Sequence, residues 1–188
     1  GMGRYLYDSN NAGQAVKHFE AVVRAVPDHA DANAYAGVAN WKLGKGKRAI
    51  SFINKAIELE PEKTRYHQWR GQMLEKSKLY APAAGAYKKA RELANFRIDF
   101  YIAEARCRRQ ADETDTAAEI LETLRQTHPS NIDIYKELRK IYEETGQFTD
   151  AVAAFADFVK ANPFRSQSWL ALVQLCEASG DSRSAEWA

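Results

Sequence analysis

Between Ala30 and Lys63, small and apolar residues fall at Ala34, Gly37, Val38 and Trp41, the three-and-four spacing of a helix face. Leu43-Gly44-Lys45-Gly46 interrupts this stripe, since two glycines so close together punctuate a helix. A second stripe follows at Ala49, Ile50, Ile53, Ala56 and Ile57 and closes at Glu60-Pro61. The pattern predicts two helices of about 13 residues joined by a short turn. Helices of this length are marginal alone and draw their stability from tertiary packing.

The unit recurs along the whole chain. Alanines at positions 15, 49, 83, 117, 151 and 185 keep a step of 34, and prolines 27, 61, 129 and 163 lie twelve residues after four of them. A fixed period of this size marks stacked repeats, each burying its apolar face against its neighbours. The elements predicted outside the first-read unit follow the same grid. A first helix ends over 3–9 and its partner runs over 14–26. Thr64 caps a helix over 65–77, and Pro82 falls in the first turn of the next, where a missing N–H costs little. Helices are predicted over 99–111 and 115–127, with Pro129-Ser130-Asn131 as punctuation, and over 133–145 and 149–161, separated by Gly146 and closed by Asn162-Pro163. Ser166 caps a helix over 167–179, Gly180 stops it, and a last helix starts at Arg183.

These residues resemble the tetratricopeptide repeat family, whose unit reads Trp-x2-Leu-Gly-x2-Tyr, then Ala-x3-Phe, then Pro. Small first-helix positions fall at Gly3, Gly37, Gly71 and Ala105, and bulky residues four after the alanines at Phe19, Ile53, Tyr87, Leu121 and Phe155. The unit from Ile132 matches most fully in its second half, through Tyr142, Gly146, Phe148, Ala151, Phe155 and Pro163. Trp169 and Gly180 take the family's tryptophan and turn-glycine positions. The resemblance implies an all-α fold, a right-handed α-solenoid of antiparallel helix pairs. It is expected as a single array over 1–188, with partial repeats at 1–29 and 166–188 and full repeats at 30–63, 64–97, 98–131 and 132–165. Departures are Asn95 at a closing-proline position, which predicts a looser stop, and Arg139 and Val173 at small-residue positions. Arg139 must carry its guanidinium to solvent or to a carboxylate. The incomplete end units suggest a piece of a longer array, or an end buried on another copy.

Composition narrows the function. With 45% apolar and 28% charged residues the chain reads as an ordinary globular protein, and a formal charge of +2 gives little reason to expect a polyanion. No run of 18 apolar residues exists to span a membrane. Two cysteines make no disulfide framework, and Cys107 and Cys176 are expected as buried thiols. Gly1-Met2 reads as a tag remnant, no signal peptide is visible, and the compartment stays open, with the cytoplasm ahead of the periplasm.

Candidate chemistry is sparse. His18, His29, His67 and His128 sit at four different phases of the repeat, and no Cys/His pair has zinc spacing. Gly44-Lys45-Gly46-Lys47 lacks the phosphate-loop pattern and follows a helix. Glu143-Glu144 and Asp112-Glu113 read as solvated charge at helix ends. The expectation is a non-enzyme with no cofactor and no metal.

The resemblance further implies that first helices line a concave groove. Carried over by phase, the candidate partner-binding residues are Tyr7, Tyr35, Val38, Trp41, Arg65, Trp69, Gln72, Arg106, Arg109 and Lys140. Aromatic residues and arginine dominate binding hot spots, so a peptide or protein with an apolar anchor and an acidic flank suits this set. Two alternatives stand beside it. Trp41 and Trp69 can belong to the core, and the arginines can be solvated or paired with Asp99, Asp133 and Glu137. The carboxylate clamp used for chaperone tails is missing, because its phases hold Ala34, Val38, Trp69, Asp99 and Ala103 in the units from Ala30, and Gln68, Gln72, Ala103, Asp133 and Glu137 in those from Thr64. Nucleic acid is not expected, since Arg106 and Arg109 lie on the groove side and Lys88, Lys89 and Arg91 on the outer helix. The function read from this is a protein-interaction scaffold in a larger bacterial assembly or secretion protein, with self-association through exposed repeat ends. The alternative is a regulatory or substrate-recruiting arm of a larger enzyme, such as a glycosyl- or sulfotransferase.

Overall fold

The computed structural model describes residues 11–94 and 96–163. Among these residues run nine helices and no strand: α1 (Ala12–Ala25), α2 (Ala30–Lys42), α3 (Gly46–Leu59), α4 (Thr64–Lys76), α5 (Tyr80–Leu93), α6 (Ile98–Gln110), α7 (Thr114–Thr127), α8 (Ile132–Thr145) and α9 (Phe148–Ala161). The chain divides into two compact units, residues 1–100 and residues 101–188. The elements expected over 3–9, over 167–179 and from Arg183 lie outside the described residues, as do Tyr7, Asn95, Trp169, Cys176 and Gly180.

The alanine grid is a packing device. Ala15, Ala49, Ala83, Ala117 and Ala151 are all 0% exposed, and the bulky residues four positions on are buried beside them. The small first-helix positions show why size matters. A Cβ on Gly37 would lie 2.9 Å from the carbonyl oxygen of Ala49 and 3.3 Å from the amide nitrogen of Ile53, so α2 and α3 meet backbone to backbone. A Cβ on Gly71 would lie 2.9 Å from the ring of Tyr87, whose hydroxyl donates to Glu75 at 2.8 Å. Ala105 fills the same phase fully buried. Arg139 breaks the rule by the expected route, its Nε donating to Glu143 at 2.6 Å.

Turns within the helix pairs repeat as faithfully. The amides of Lys45, Leu79, Glu113 and Gln147 donate to the carbonyls of Asn40, Leu74, Arg108 and Tyr142, each five residues back. The residue before each donor is left-handed: Gly44 (φ 73°), Lys78 (58°), Asp112 (62°) and Gly146 (72°). This is the Schellman closure of a helix C-terminus, for which glycine is the natural residue. Helix starts are less regular. His29 Nδ1 accepts from the amide of Ala32 at 3.3 Å, a capping role the sequence reading did not assign. Thr64, expected as a cap, is the first residue of α4. Lys63 takes the cap position because the turn has already begun there, with the Tyr66 amide donating to its carbonyl at 2.9 Å.

One polar group is buried between the first three helices. Asn40 is 0% exposed, and its Nδ2 donates to Glu20 on α1 at 2.9 Å and to the Ala36 carbonyl at 2.9 Å. Arg48 on α3 donates to the other oxygen of Glu20 at 2.8 Å. Cys107 is buried, as expected.

Candidate functional site

In the first unit the site rests on α2 and α4. Arg65, Trp69 and Gln72 follow at i, i+4 and i+7 and so share one stripe of α4. Tyr35 on α2 meets that stripe, its ring centroid 5.5 Å from that of Trp69 at an interplanar angle of 60°. Phe19 stacks on Tyr35 at 5.2 Å, and Tyr66 lies 6.4 Å from Trp69. The four rings make a continuous series, and Trp69 is rooted in two buried clusters, one with Ile53 and Tyr66 and one with Val38, Ala49 and Met73. Its exposed part is therefore held rigidly.

Arg65 completes this face. Its guanidinium carbon lies 5.8 Å from the Trp69 ring centroid, and Nη1 is 3.5 Å from the Tyr35 hydroxyl. Arg65 is exposed and takes part in no ion pair among the described residues. The neighbouring acid, Asp31, is already engaged, accepting from the Tyr66 hydroxyl at 2.6 Å. Burial first, and then that bond to Asp31, push the Tyr66 phenol well above its usual range.

Two candidates do not join the face. Val38 is 7% exposed, because it packs on Ala49 and Met73 beneath the tryptophans, and it is a core residue. Trp41 also leans on that cluster, and its indole lies 3.2 Å from where a Cβ on Gly46 would stand. It covers its own turn, with Gly46 leaving the room. Gln72 is exposed.

The second unit presents a different surface. Arg109 on α6, expected in the groove, is 8% exposed at its side chain and bridges Glu144 and Glu137 on α8, the latter at 4.0 Å. Lys140 donates to Glu137 at 2.9 Å and Lys136 to Asp133 at 3.0 Å. Arg106 is half-buried. Of the carboxylates expected as partners, Glu137 lies at the margin of ion-pair distance from Arg109, whose hydrogen bond goes to Glu144 instead. Three of the four acids expected as solvated charge are exposed and also ion-paired, Glu113 with Arg108, Glu143 with Arg139 and Glu144 with Arg109, while Asp112 is exposed. Behind them the fully buried Glu104 accepts from Arg108 at 2.9 Å. A signal for the inter-helix pair existed in the sequence, since 109 and 144 are opposite charges about one repeat apart. Tyr142 donates to Glu122, and burial first, then this bond, hold its phenol above the usual range.

Among the described residues no group of three or more His, Cys, Asp or Glu is placed to hold a metal ion, and no helix is long and apolar enough to cross a membrane. His67 is buried and its Nε2–H donates to the Pro61 carbonyl at 2.7 Å, a structural use.

Two sequence models, both described as tetratricopeptide repeat, match residues 1–63 and 108–176. The chain belongs to the tetratricopeptide repeat family. Solved structures of this family's solenoid fold are similar throughout. MamA has a TM-score of 0.75 at 20% identity, covering 85% of this chain and 94% of its own. PilF of Pseudomonas aeruginosa has 0.69 at 19%, covering 98% and 84%. YrrB, described as a tetratricopeptide repeat protein with an unusual peptide-binding site, has 0.65 at 14%, covering 89% and 86%. At these identities the likeness is one of fold: all-α, of the α-solenoid class. No curated protein matches the sequence.

Proposed function

We propose that this tetratricopeptide repeat chain is a non-catalytic interaction scaffold whose first unit grips a peptide or protein segment on the Tyr35–Trp69–Arg65 face. The segment carries an apolar anchor, which covers the exposed edge of Trp69, and an acidic flank, which meets Arg65. The observation that carries this reading is the guanidinium of Arg65, stacked near Trp69 and hydrogen-bonded to Tyr35, yet without a carboxylate partner among the described residues. An arginine pre-positioned on aromatic rings loses little freedom on binding a carboxylate. The peptide-binding site of YrrB, on a similar fold, supports the reading. A scaffold of this kind fits a place in a larger assembly.

Trp69 is a poor residue to delete as a test, because its removal also opens two core clusters. Arg65→Glu is the cleaner variant, since it reverses an exposed charge. Isothermal titration against peptides with one Leu or Phe flanked by Asp and Glu measures the effect. Arg65→Glu is expected to weaken binding at least about tenfold, equivalent to about 1.4 kcal/mol, with the thermal midpoint unchanged. Equal affinity for the two proteins rejects the face as the site.

A further inference from the structure

The turn between first and second helix changes its charge along the chain while keeping its geometry. Residues 42–48 hold four basic side chains and 76–82 hold two, with no acidic one in either stretch. At the same phase, residues 110–116 hold three acidic side chains and 144–150 hold two, with no basic one. The modest total of +2 conceals this division. Residues 1–100 carry seventeen Lys and Arg against ten Asp and Glu, net +7, and residues 101–188 carry ten against fifteen, net −5.

Within each unit the turns share an edge. Val38 of α2 and Met73 of α4 lie in one cluster near the C-terminal halves of their helices, so the turns that follow are neighbours. In the second unit Arg109, in the last turn of α6, pairs with Glu144, in the last turn of α8. Much of the charge on these edges is uncompensated. Lys45, Lys47, Lys76 and Lys78 are exposed and make no ion pair among the described residues, and the same holds for Asp112, Asp115 and Asp150.

Helix stability does not account for the whole pattern. Lys45 is the N-cap of α3 and Lys47 lies in its first turn, where the helix dipole disfavours cations, and that turn contains no acidic residue. Lys78 and Asp112 are not glycine, although both hold a left-handed turn position. Lys45 and Lys47 are thus kept against the helix dipole, whereas Asp115 and Asp150 lie in the first turns of α7 and α9, where the dipole favours acids.

We infer that the two edges are complementary halves of a self-association surface. The basic turn edge of the first unit in one copy docks on the acidic turn edge of the second unit in another copy. Like edges repel, so the charges specify which edge meets which. Because the charges are exposed, the contact is screened by salt and is weak. Its charged residues are other than Tyr35, Trp69 and Arg65, and it does not depend on the peptide reading.

The grid supplies fold-compatible variants, because Lys47 and Asp115 occupy one phase and Lys78 and Asp112 another. Sedimentation velocity on the full chain is the test, at about 25 mM and about 500 mM NaCl, on either side of the concentration where the Debye length falls below 10 Å. Wild type is expected to associate at low salt and to be monomeric at high salt. A basic-edge variant (Lys45→Glu, Lys47→Asp, Lys76→Glu, Lys78→Asp) and an acidic-edge variant (Asp112→Lys, Asp115→Lys, Asp150→Lys) are each expected to be monomeric at both. Mixed together they are expected to form a complex, and Arg65→Glu is expected to associate like wild type. Circular dichroism confirms that each variant is folded. A monomeric wild type at low salt overturns the inference, as does association of either variant alone or a mixture that stays monomeric. If a monomeric wild type instead binds polyglutamate through Lys45 and Lys47, the edge serves another acidic protein and self-association is rejected.

Discussion

The two units are built on one scaffold and carry opposite surfaces. Ala49 and Ala83 in the first and Ala117 and Ala151 in the second are equally inaccessible, and Schellman turns close the first helices of both. On that shared frame, the first unit exposes Tyr35, Trp69 and an arginine held by rings. The second pairs its cations within the unit, Arg109 with Glu144 and Lys140 with Glu137. The lesson is that packing positions and surface positions vary independently in this fold. A residue's phase in the repeat therefore tells where it sits before it tells what it does.

The most forceful way to test the shared frame is to overfill it. Ala83→Leu and Ala117→Leu are each expected to destabilise by about 1–3 kcal/mol in denaturant titrations, because neither site has space for three more carbons. A loss in only one of them would mean that the units do not share a packing frame. A smaller effect is expected at the turns. Lys78→Gly is expected to stabilise by about 0.5–1 kcal/mol by removing a left-handed Cβ, and Gly44→Ala to destabilise by a similar amount. Opposite signs at two equivalent positions would confirm that the turn is one geometry filled by different residues.

The smallest effect concerns pH. Burial, with hydrogen bonds to Asp31 and Glu122, raises the phenols of Tyr66 and Tyr142, and burial raises Tyr135. A folded-state pKa above the unfolded value contributes stability that is complete below about pH 10 and is lost above it, as the unfolded chain releases its protons first. Thermal midpoints are expected to fall as pH rises above about 10. Tyr66→Phe is expected to flatten that fall more than Tyr142→Phe, because burial and its hydrogen bond push the Tyr66 phenol further above the usual range. Ionisation of all nine tyrosines before unfolding would contradict this.

Much of the fold was readable because a fixed step repeats the same packing demand. The helix expected over 133–145 is α8, Ile132–Thr145, and Gly146 ends it in the left-handed conformation the turn needs. The site was less readable, for three physical reasons. Val38 shares the side of α2 that carries Tyr35, but a residue's depth depends on what the next helix places over it, and here that is Met73 and Trp69. Arg109 has the same phase that would face a ligand, yet its fate was decided by Glu144, a carboxylate on another helix. The charge division escaped because a total of +2 averages over halves of opposite sign. Periodicity reports each residue's angle around a helix, and a binding surface also depends on which neighbours have already used its charges.

Asn40 bears on how such an array can be shortened. The unit visible in the sequence, 30–63, begins at α2, but the amide buried in α2 is satisfied by Glu20 on α1, which is also clasped by Arg48 of α3. An excision that starts at residue 30 would lose the Glu20 bonds to Asn40 and Arg48 and open to water the face of α2 that packs on Ala15, Val16 and Phe19. The smallest piece of this end that keeps those bonds and that packing begins with α1. For grafting or exchanging modules, the natural seam is displaced by one helix from the seam that the alanines mark.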